Sequence, residues 1–444
     1  MLAWLLVGVI ATYIVLSLFL LFVSASEKKG YELDRQKHAA VVVVGDLGHS
    51  PRMNFHALSI AKEGWKVTLI GTIESNLMPE IVENEGIEVV ELPKIKRSGP
   101  FVLYALKRIV FQHYHLWKAL RDCGKLDVVL VQNPPSIPTL GSSRFFVLFT
   151  CPSARLVIDW HNFGHSILAL TVKQKWAVKA YQFYEFIFGR VASAHLTVSV
   201  RMGLVLRGMG IKARRIIPLH DRPFKSYVIN SKEQKELKSK LFSDLVTPNS
   251  KLVVTSTSYT PDEDLGMLLD GLAIYDKVPK AAELNVVVTG KGPGKDAFLQ
   301  QVDALELSKI RVFTRWLTYE QYHQLLSVCD LGISLHKSSS GYDLPMKVVD
   351  MFGAGLPVAA LKFPALDELV REGENGLMFS SAESLSATLQ TAFTKKVYDK
   401  IKTGAVKEAA NTWSTTWDEK LGPVFMTNPP PLTYVPSSSS SDSE

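Results

Sequence analysis

The chain has 444 residues, of which 47% are hydrophobic and 21% charged, a composition typical of a globular protein and not of a disordered one. That length accommodates two domains, each with its own core. The net charge of +7 indicates an anionic partner, and because no nucleic-acid-binding motif occurs, we expect a phosphorylated substrate or an acidic lipid. Three cysteines without CxxC spacing predict reduced thiols in a protein that faces the cytosol.

The N-terminal stretch through Val23 contains no charged side chain and is long enough to cross a bilayer, which predicts a membrane anchor over residues 1–24. A cleaved signal peptide is the alternative, because Val23-Ser24-Ala25 resembles a cleavage site. The length of the apolar run and the lack of a basic segment before it favour the anchor. Basic residues follow the run, so the positive-inside rule predicts that the remainder lies in the cytosol.

Residues 38–221 are predicted to form a first α/β domain, because continuous apolar runs alternate with helical segments. The predicted strands are 39–45, 65–71, 87–92, 126–131, 155–160 and 195–199. This order is typical of a doubly wound, mostly parallel sheet, which binds ligands beyond the carboxyl ends of its strands. The polar residues predicted at those ends are Asp46, Asn133, Asp159, His161 and Ser199.

A charged stretch, 222–250, is predicted to link this domain to a second α/β domain over residues 251–395. The second domain repeats the alternation, with predicted strands at 251–256, 284–289, 310–313, 331–335 and 357–361. Residues 382–409 are predicted to be helical, and the segment 396–425 is predicted to pack back toward the first domain. The proline-rich and serine-rich end, 429–444, is predicted to be a disordered tail.

One loop and helix, from Ser338 to Gly353, has the features of an anion site. The small residues Ser338 to Gly341 free backbone N–H groups, and Lys347 adds its charge to the N-terminus of the helix that follows. Pro345 is expected in the first turn of that helix, with Asp343 or a neighbour as its cap. Asp350 is placed to accept a hydrogen bond from a sugar hydroxyl. An ordinary loop–helix–strand unit is the alternative interpretation.

A second glycine-rich turn, Gly290-Lys291-Gly292, follows a predicted strand, so its backbone can approach a diphosphate closely. Lys291 and Lys347 together would offset the charge on a departing diphosphate, which makes a metal ion optional. The sequence 262–264 resembles a metal-binding DxD motif, but acidic residues that open a helix favour capping. No ligand set for a divalent cation is identified, and no obligatory cofactor is predicted.

The first domain offers two candidates for a catalytic base, His161 and Asp46, and the sequence does not rank them. A structural role for a histidine at a strand end is the alternative. His49, His220 and His336 are weaker candidates.

The helix 100–118 combines bulky apolar, aromatic and basic residues. It is either a core helix with basic residues at its rim or a surface that meets lipid phosphate, which 144–149 could extend.

Several motifs together resemble glycosyltransferase family 33, the dolichol-linked beta-mannosyltransferases, which adopt the GT-B fold. They are spread in order from about residue 39 to 380, at 45–53, 132–138, 159–164, 256–264, 289–293 and 338–358. The resemblance implies two Rossmann-like domains that face a cleft. Where GT-B enzymes carry a second acid, this chain has Tyr342, so Asp343 is the expected substitute. His49 replaces a more usual arginine and is therefore not expected to be catalytic.

The resemblance implies an inverting transfer of mannose from GDP-mannose to dolichyl-diphosphate-linked chitobiose, forming a beta-1,4 bond. Catalysis is assigned to His161, Asp46 and Lys347. Donor binding is assigned to Ser258, Gly290, Lys291, Gly292, Ser338, Ser339, Ser340, Gly341, Asp343, Leu344, Lys347 and Asp350. Acceptor binding is assigned to Gly48, Ser50, Arg52, Asn133, Asp159 and His161.

The resemblance also implies a single-pass protein of the endoplasmic reticulum membrane, with catalytic domains on the cytosolic face. Membrane lipid and other mannosyltransferases that act on lipid-linked oligosaccharides are the expected partners, and nucleic acid is not. Two alternatives remain. One is a GT-B transferase with another nucleotide sugar or acceptor, and the other is an inactive paralogue that serves as a scaffold.

Overall fold

A computed structural model describes residues 35–96, 99, 101–245, 247, 249–260 and 263–425, so the predicted anchor and tail lie outside the described residues. The chain divides into two compact units. One contains the described residues up to His220 together with those from Trp417 onward, and the other spans Asp221–Thr416. None of the helices in the described part is long and apolar enough to cross a membrane.

The first unit is built on a parallel sheet of seven strands in the order β3-β2-β1-β4-β5-β6-β7. The strands are β1 (His38–Asp46), β2 (Lys66–Thr72), β3 (Ile87–Glu91), β4 (Val128–Asn133), β5 (Arg155–Trp160), β6 (Ala194–Thr197) and β7 (Ile216–Pro218). Ala39 pairs with Val67 on one side and with Val128 on the other, so β1 is central and its apolar run is buried on both faces. The strand order reverses between β1 and β4, which is where such sheets bind ligands.

Helices cover this sheet and pair closely with its strands. They are α1 (Pro51–Lys62), α2 (Pro79–Val82), α3 (Phe101–Asp122), α4 (Thr139–Phe149), α5 (Gly164–Thr171), α6 (Lys175–Gly189) and α7 (Val200–Gly208). The C-terminal end of the described chain also belongs here, because Trp65 donates a hydrogen bond to the carbonyl oxygen of Phe425 and Trp417 donates one to His56.

The second unit has a parallel sheet of six strands in the order β10-β9-β8-β11-β12-β13. They are β8 (Lys251–Ser256), β9 (Leu284–Thr289), β10 (Ile310–Arg315), β11 (Leu331–Ser334), β12 (Val358–Leu361) and β13 (Gly376–Phe379). The order reverses between β8 and β11. Both sheets therefore have the parallel, doubly wound arrangement that the sequence predicts.

The helices of the second unit cover both faces of its sheet. They are α8 (Ser231–Leu241), α9 (Leu265–Asp276), α10 (Lys295–Ala304), α11 (Tyr319–Val328), α12 (Met346–Gly353), α13 (Ala382–Ala392) and α14 (Lys395–Ala409). Two helices follow: the second unit ends within α15 (Trp413–Lys420), and α16 (Gly422–Phe425) belongs to the first unit. Asp264 caps α9, since its carboxylate accepts from the backbone N–H of Met267, which is the capping role predicted for this acidic stretch.

In the second unit, the structure differs from two of the sequence-based expectations. The stretch 222–250 lies within the second unit, where Tyr227 N donates to the carbonyl of Gly353 at 2.8 Å and Trp413 N donates to that of Pro223 at 2.9 Å. Residues 382–409 are helical as predicted, and they form two helices, α13 and α14. Finally, Pro345 itself is the N-cap of α12 and no side chain caps that helix, so the prediction of an Asp343 cap was wrong.

Candidate functional site

A cavity of ≈ 490 Å³ opens in the second unit at the carboxyl ends of its central strands. Of the predicted donor-binding residues, it contains Ser258, Gly290 and Lys347. The sequence did not single out most of the other residues that line it, which are Ser256, Thr257, Glu263, Thr289, Trp316, Leu317, Thr318, Tyr319, Tyr322 and His336. The reversal of strand order therefore positions a pocket here, as it does in other doubly wound sheets.

Lys347 lies in the first turn of α12 and reaches into this cavity. Its ammonium group donates to the carbonyl oxygen of Ser256 at 2.8 Å and forms an ion pair with Glu263. The Glu263 side chain is only 5% exposed, and its other oxygen accepts from the backbone N–H of Ser258 at 3.2 Å. A buried carboxylate thus holds the lysine at the cavity wall.

The glycines of the 290–294 turn are required by a neighbouring loop. A Cβ atom on Gly290 would overlap the carbonyl oxygen of Thr257, and one on Gly292 would overlap that of Ser258. Gly290 also has a φ of +131°, which side-chain-bearing residues rarely adopt. The close approach predicted toward a diphosphate is therefore seen toward the loop 257–259, and contact with the donor stays a prediction.

Lys291 extends from the same turn over an aromatic surface. Its ammonium group lies 4.4 Å from the centre of the Trp316 ring, within the range of a cation–π interaction. Trp316 and Tyr319 are each 62% exposed. Large exposed aromatic side chains at a cavity rim offer a stacking surface for a planar ligand.

The loop before α12 is organised around Asp343, which the sequence assigned to donor binding. His336 Nε2 lies 2.9 Å from one carboxylate oxygen of Asp343, while the hydroxyls of Ser338 and Ser340 donate to the other. Burial raises the pKa of Asp343, but the hydrogen bond and charge of His336 outweigh it and lower that pKa overall. Since its carboxylate already has these partners, the geometry favours a role in shaping the loop that contains Gly341 and Leu344.

Asp350 differs from Asp343, because no described residue donates a hydrogen bond to its carboxylate. Burial and the nearby charge of Asp221 raise the pKa of Asp350 to about 7. Burial, together with the charge of Asp350, in turn raises the pKa of the Tyr322 hydroxyl at the cavity wall. Asp350 does not itself line the cavity, but a carboxylate that interacts with the cavity-lining Tyr322 is suited to accept a hydrogen bond from a ligand hydroxyl.

In the first unit, Asp159 at the end of β5 is the centre of a buried network. The Arg52 guanidinium donates to both of its oxygens, at 2.7 and 2.9 Å, and His56 and His161 contact Oδ2 at 3.2 and 2.9 Å. Burial raises the pKa of Asp159, but the charge of Arg52 and the histidine hydrogen bonds hold it well below its usual range.

Arg52 and Asp159 have side chains only 3% and 0% exposed, and Arg52 also donates to the carbonyl oxygen of Leu219 at 2.9 Å. The sequence assigned both to direct acceptor contact. Their burial instead favours a positioning role, in which the pair fixes the residues around it.

The hydrogen-bond partners define the tautomers of the two histidines that contact Asp159. Trp417 donates to Nδ1 of His56 at 3.1 Å, so the proton of this neutral ring is on Nε2, and burial lowers its pKa. His161 likewise must direct an N–H at the ionised Asp159 through Nε2. Its Nδ1 is then free of a proton in the neutral ring. With a side chain 24% exposed, His161 can accept a proton from a ligand, whereas His56 is fully buried.

Asp46, the other candidate base, is engaged at the end of β1. Its carboxylate accepts from the backbone N–H groups of Gly48, Glu74 and Ser75, and from the hydroxyl of Ser75 and the ring of His49. Burial raises the pKa of Asp46, but the hydrogen bonds from Ser75 and Glu74 outweigh burial and lower this pKa overall. A carboxylate whose pKa is lowered in this way is a weak base, so of the two candidates the geometry favours His161.

Ser50 and Gly48 serve the turn that surrounds Asp46. The Ser50 hydroxyl donates to the carbonyl oxygen of Asp46 at 2.9 Å, and a Cβ atom on Gly48 would overlap Ser75. Their predicted contact with the acceptor stays a prediction.

Glu185 on α6 is a further buried carboxylate that the sequence analysis did not identify. Its side chain is 1% exposed and holds two strand-end loops together. Asn133 Nδ2, Ser136 Oγ and the backbone N–H of Gly164 lie 2.9, 2.7 and 2.9 Å from Oε1, and His165 Nδ1 lies 2.6 Å from Oε2. Burial raises the pKa of Glu185, but these hydrogen bonds, that of His165 first, lower it overall.

Asn133 is therefore committed to Glu185 and is fully buried, which favours a supporting role over the acceptor contact predicted for it. The structure brings Asn133, Asp159 and His161 together at the ends of β4 and β5. Within the part of the chain that the structure describes, no group of three or more His, Cys, Asp or Glu side chains is arranged to hold a metal ion.

Known folds resemble this one over most of its length. Sucrose-phosphate synthase from Thermosynechococcus elongatus superposes with a TM-score of 0.67 at 13% identity, covering 88% of this chain and 98% of that one. Anabaena HepE in complex with UDP and glucose gives a TM-score of 0.63 at 16% identity, covering 89% and 100%. At this identity the likeness shows the fold alone, which is the predicted GT-B architecture of two parallel-sheet domains.

Sequence comparison identifies the family. The family model described as "Glycosyl transferases group 1" matches residues 250–395. Chitobiosyldiphosphodolichol beta-mannosyltransferase from Yarrowia lipolytica is 42% identical over 443 residues, covering 96% of both chains. The mouse protein of that name is 37% identical over 428 residues, covering 87% of both. This chain therefore belongs to the chitobiosyldiphosphodolichol beta-mannosyltransferase family of glycosyltransferases.

Proposed function

We propose that this protein transfers mannose from GDP-mannose to the chitobiose of dolichyl diphosphate and forms the first beta-1,4-mannosyl bond of the lipid-linked oligosaccharide. The names of the relatives support the acceptor and the linkage. The observation that carries the proposal is the pairing of His161 with the buried Asp159, at 2.9 Å, because inversion needs a base for the acceptor hydroxyl.

The chemistry at the acceptor is a single displacement. The 4-hydroxyl of the terminal sugar attacks the anomeric carbon of mannose while the bond to GDP breaks, and the hydroxyl proton passes to Nδ1 of His161. Asp159 stabilises the imidazolium that forms, as a carboxylate does in other carboxylate–histidine pairs. Arg52 keeps Asp159 ionised throughout, because its guanidinium donates two hydrogen bonds to that carboxylate.

The donor is assigned to the cavity of the second unit. Asp350 accepts hydrogen bonds from the ribose, and the exposed ring of Trp316 offers a surface against which the base can stack. Lys347 and Lys291 offset the charge that develops on the departing diphosphate. With two lysines in this role a metal ion is optional, and we propose no obligatory cofactor.

The proposal includes a place in the cell. An apolar N-terminal anchor in the endoplasmic reticulum membrane, with both catalytic units in the cytosol, would keep the enzyme beside its lipid-linked acceptor. Basic residues after the first 24 residues of the sequence support this orientation. Association with other mannosyltransferases that extend the same lipid-linked oligosaccharide is part of the same expectation.

The test uses the detergent-solubilised full chain, GDP-mannose labelled in the sugar, and dolichyl-diphosphate chitobiose. We expect a lipid-linked trisaccharide that beta-mannosidase cleaves and alpha-mannosidase does not. Competition by GDP and UDP should show that GDP displaces the donor at lower concentration. A product resistant to beta-mannosidase, or tighter binding of UDP, would indicate another GT-B transferase. GDP binding without any product would indicate a scaffold.

A further inference from the structure

A helical hairpin in the first unit exposes an unusual number of large apolar side chains. It consists of α5 and α6, which contact each other, and the turn between them. Leu170 is 65% exposed, Phe183 48%, Trp176 46%, Ile167 40% and Ile187 38%. An apolar surface of this kind on a helix pair marks a binding face for lipid or protein.

The spacing on α6 shows that the exposure belongs to one helix face. Trp176, Phe183 and Ile187 are separated by seven and four residues, which aligns them on one side of a helix. Tyr184 and Phe188, each one residue further along, lie about 100° round the helix and are buried against the unit. The apolar surface of α6 is therefore wide: the part around Tyr184 and Phe188 is buried, and the part that carries Trp176, Phe183 and Ile187 is exposed.

The charges on the hairpin have a single sign. From Gly164 to Val191 the exposed charged residues are Lys173, Lys175, Lys179 and Arg190. The only acidic residue in this segment is Glu185, whose carboxylate is buried in the network described above. Apolar side chains interleaved with lysine and arginine, without exposed acids, are complementary to the interface of a bilayer that contains anionic lipid.

The hairpin is directly connected to the candidate base. His161 follows β5, and α5 begins three residues later at Gly164, whose backbone N–H is held by Glu185 at 2.9 Å. Neighbouring helices extend the same kind of surface, since α3 exposes Leu106, Val110 and Tyr114, and α4 exposes Leu148 and Phe149. Contacts of α3 with α4 and of α4 with α6 make this a continuous layer.

We propose that the α5–α6 hairpin is a lipid-docking surface, which lies in the interface of an anionic bilayer and holds the His161 loop at the depth of a lipid-linked diphosphate. The proposal rests on the proposed function for its acceptor. A second copy of the chain is a poorer occupant, because a two-fold interface through this face would bring lysines of both copies together without acids to pair them.

The first experiment measures depth. The full chain carries a fluorophore at Phe183→Cys in a Cys123→Ser background, since Cys151 and Cys329 are buried. It is reconstituted in vesicles of phosphatidylcholine and phosphatidylserine whose acyl chains bear a quencher. Val82→Cys is the matched control, because Val82 is 68% exposed on α2, outside the hairpin. We expect strong quenching at position 183 and little at position 82. Equal, weak quenching at both positions would overturn the proposal.

The second experiment measures activity. Trp176→Glu combined with Phe183→Glu should lower kcat/KM at least tenfold for the dolichyl acceptor in vesicles. It should leave kcat/KM unchanged for a short-chain, water-soluble acceptor, and Val82→Glu should change neither. Equal activity of the double variant on both acceptors would count against docking.

If sedimentation shows that the double variant dissociates a dimer, and position 183 is not quenched, the face binds a second copy instead. If the wild type uses neither acceptor, the proposed function fails, while the quenching still decides the docking.

Discussion

The Nε2 atom of His161 lies 2.9 Å from Oδ2 of Asp159, and this contact orients the His161 ring. Of the two histidines that contact Asp159, His161 is partly exposed and His56 is buried. The carboxylate is itself fixed by Arg52 and by His56, whose tautomer is set in turn by Trp417. A buried ion pair and a buried histidine thus orient one ring. Such a buried polar network is expected where the unprotonated nitrogen of a ring must have a defined position.

Replacement of His161 should therefore abolish most of the activity without affecting the donor. We expect His161→Ala to lower kcat by about 10²–10⁴-fold, the usual contribution of a general base. GDP affinity, measured by calorimetry, should be unchanged. His49→Ala is the control, because the His49 side chain is 80% exposed, and it should retain near-normal activity. A His161→Ala enzyme with wild-type kcat would rule out the assignment of the base.

Glu185 should act on the acceptor through the loops that it holds. We expect Glu185→Gln, which keeps the shape but removes the charge, to lower stability by about 1–3 kcal/mol, because charge-assisted hydrogen bonds to a buried group are lost. It should also raise KM for the acceptor while KM for GDP-mannose stays constant. Glu85→Gln, at an exposed position in the same unit, is the matched control. A loss of stability without any change in acceptor KM would limit Glu185 to a structural role.

The strands of both sheets were largely predictable because their central members are buried on both faces. β5, β8 and β9 have the predicted bounds, since the interior residues of each strand are buried. β7 and β13 were not predicted. They have three and four residues, and runs this short do not stand out from buried loops.

The candidate site was less predictable, because its buried partners are distant in sequence. Glu185 contacts Asn133 across 52 residues, and Trp417 contacts His56 across 361. Glu185 also lies in an amphipathic helix, where an isolated acid is typical of a solvated face. Only the fold shows that it points inward. The sequence assigned both Asp343 and Asp350 to donor binding, and only the structure shows that the hydrogen bonds of His336 and two serines engage Asp343.

The 290–294 turn offers a test of loop packing in the second unit. We expect Gly292→Ala to destabilise the protein by about 1–3 kcal/mol, because its Cβ would meet the backbone of the 257–259 loop and one of the two loops must move. The cavity is lined by both loops, so GDP affinity should fall as well. Gly266→Ala in α9 is the control. A Cβ there lies 3.5 Å from the nearest atom, so we expect no loss, or a gain of about 0.4–1 kcal/mol. Equal melting temperatures for the two variants would contradict the packing.

Asp350 should be destabilising at the pH at which it binds the donor. Its pKa is raised to about 7 by burial and by Asp221, above the usual value of an aspartate. Between about pH 4 and 7 the unfolded chain has lost this proton while the folded chain retains it, so stability falls as pH rises through this window. Below the window both states are protonated, and above it both are ionised, so the cost no longer changes.

Asp350→Asn removes this cost, and we expect the variant to be more stable than the wild type by on the order of 2–4 kcal/mol above pH 7, with no difference below pH 4. The same substitution should weaken GDP binding about tenfold at pH 8, because an amide is a poorer acceptor for the ribose hydroxyls than a carboxylate. Denaturation and GDP titration from pH 4 to 9 measure both effects.

Asp270→Asn, an exposed position on α9, is the control and should show neither effect. Parallel stability curves for Asp350→Asn and the wild type would show that Asp350 does not titrate in this window. Unchanged GDP affinity would show that the ribose does not bind Asp350.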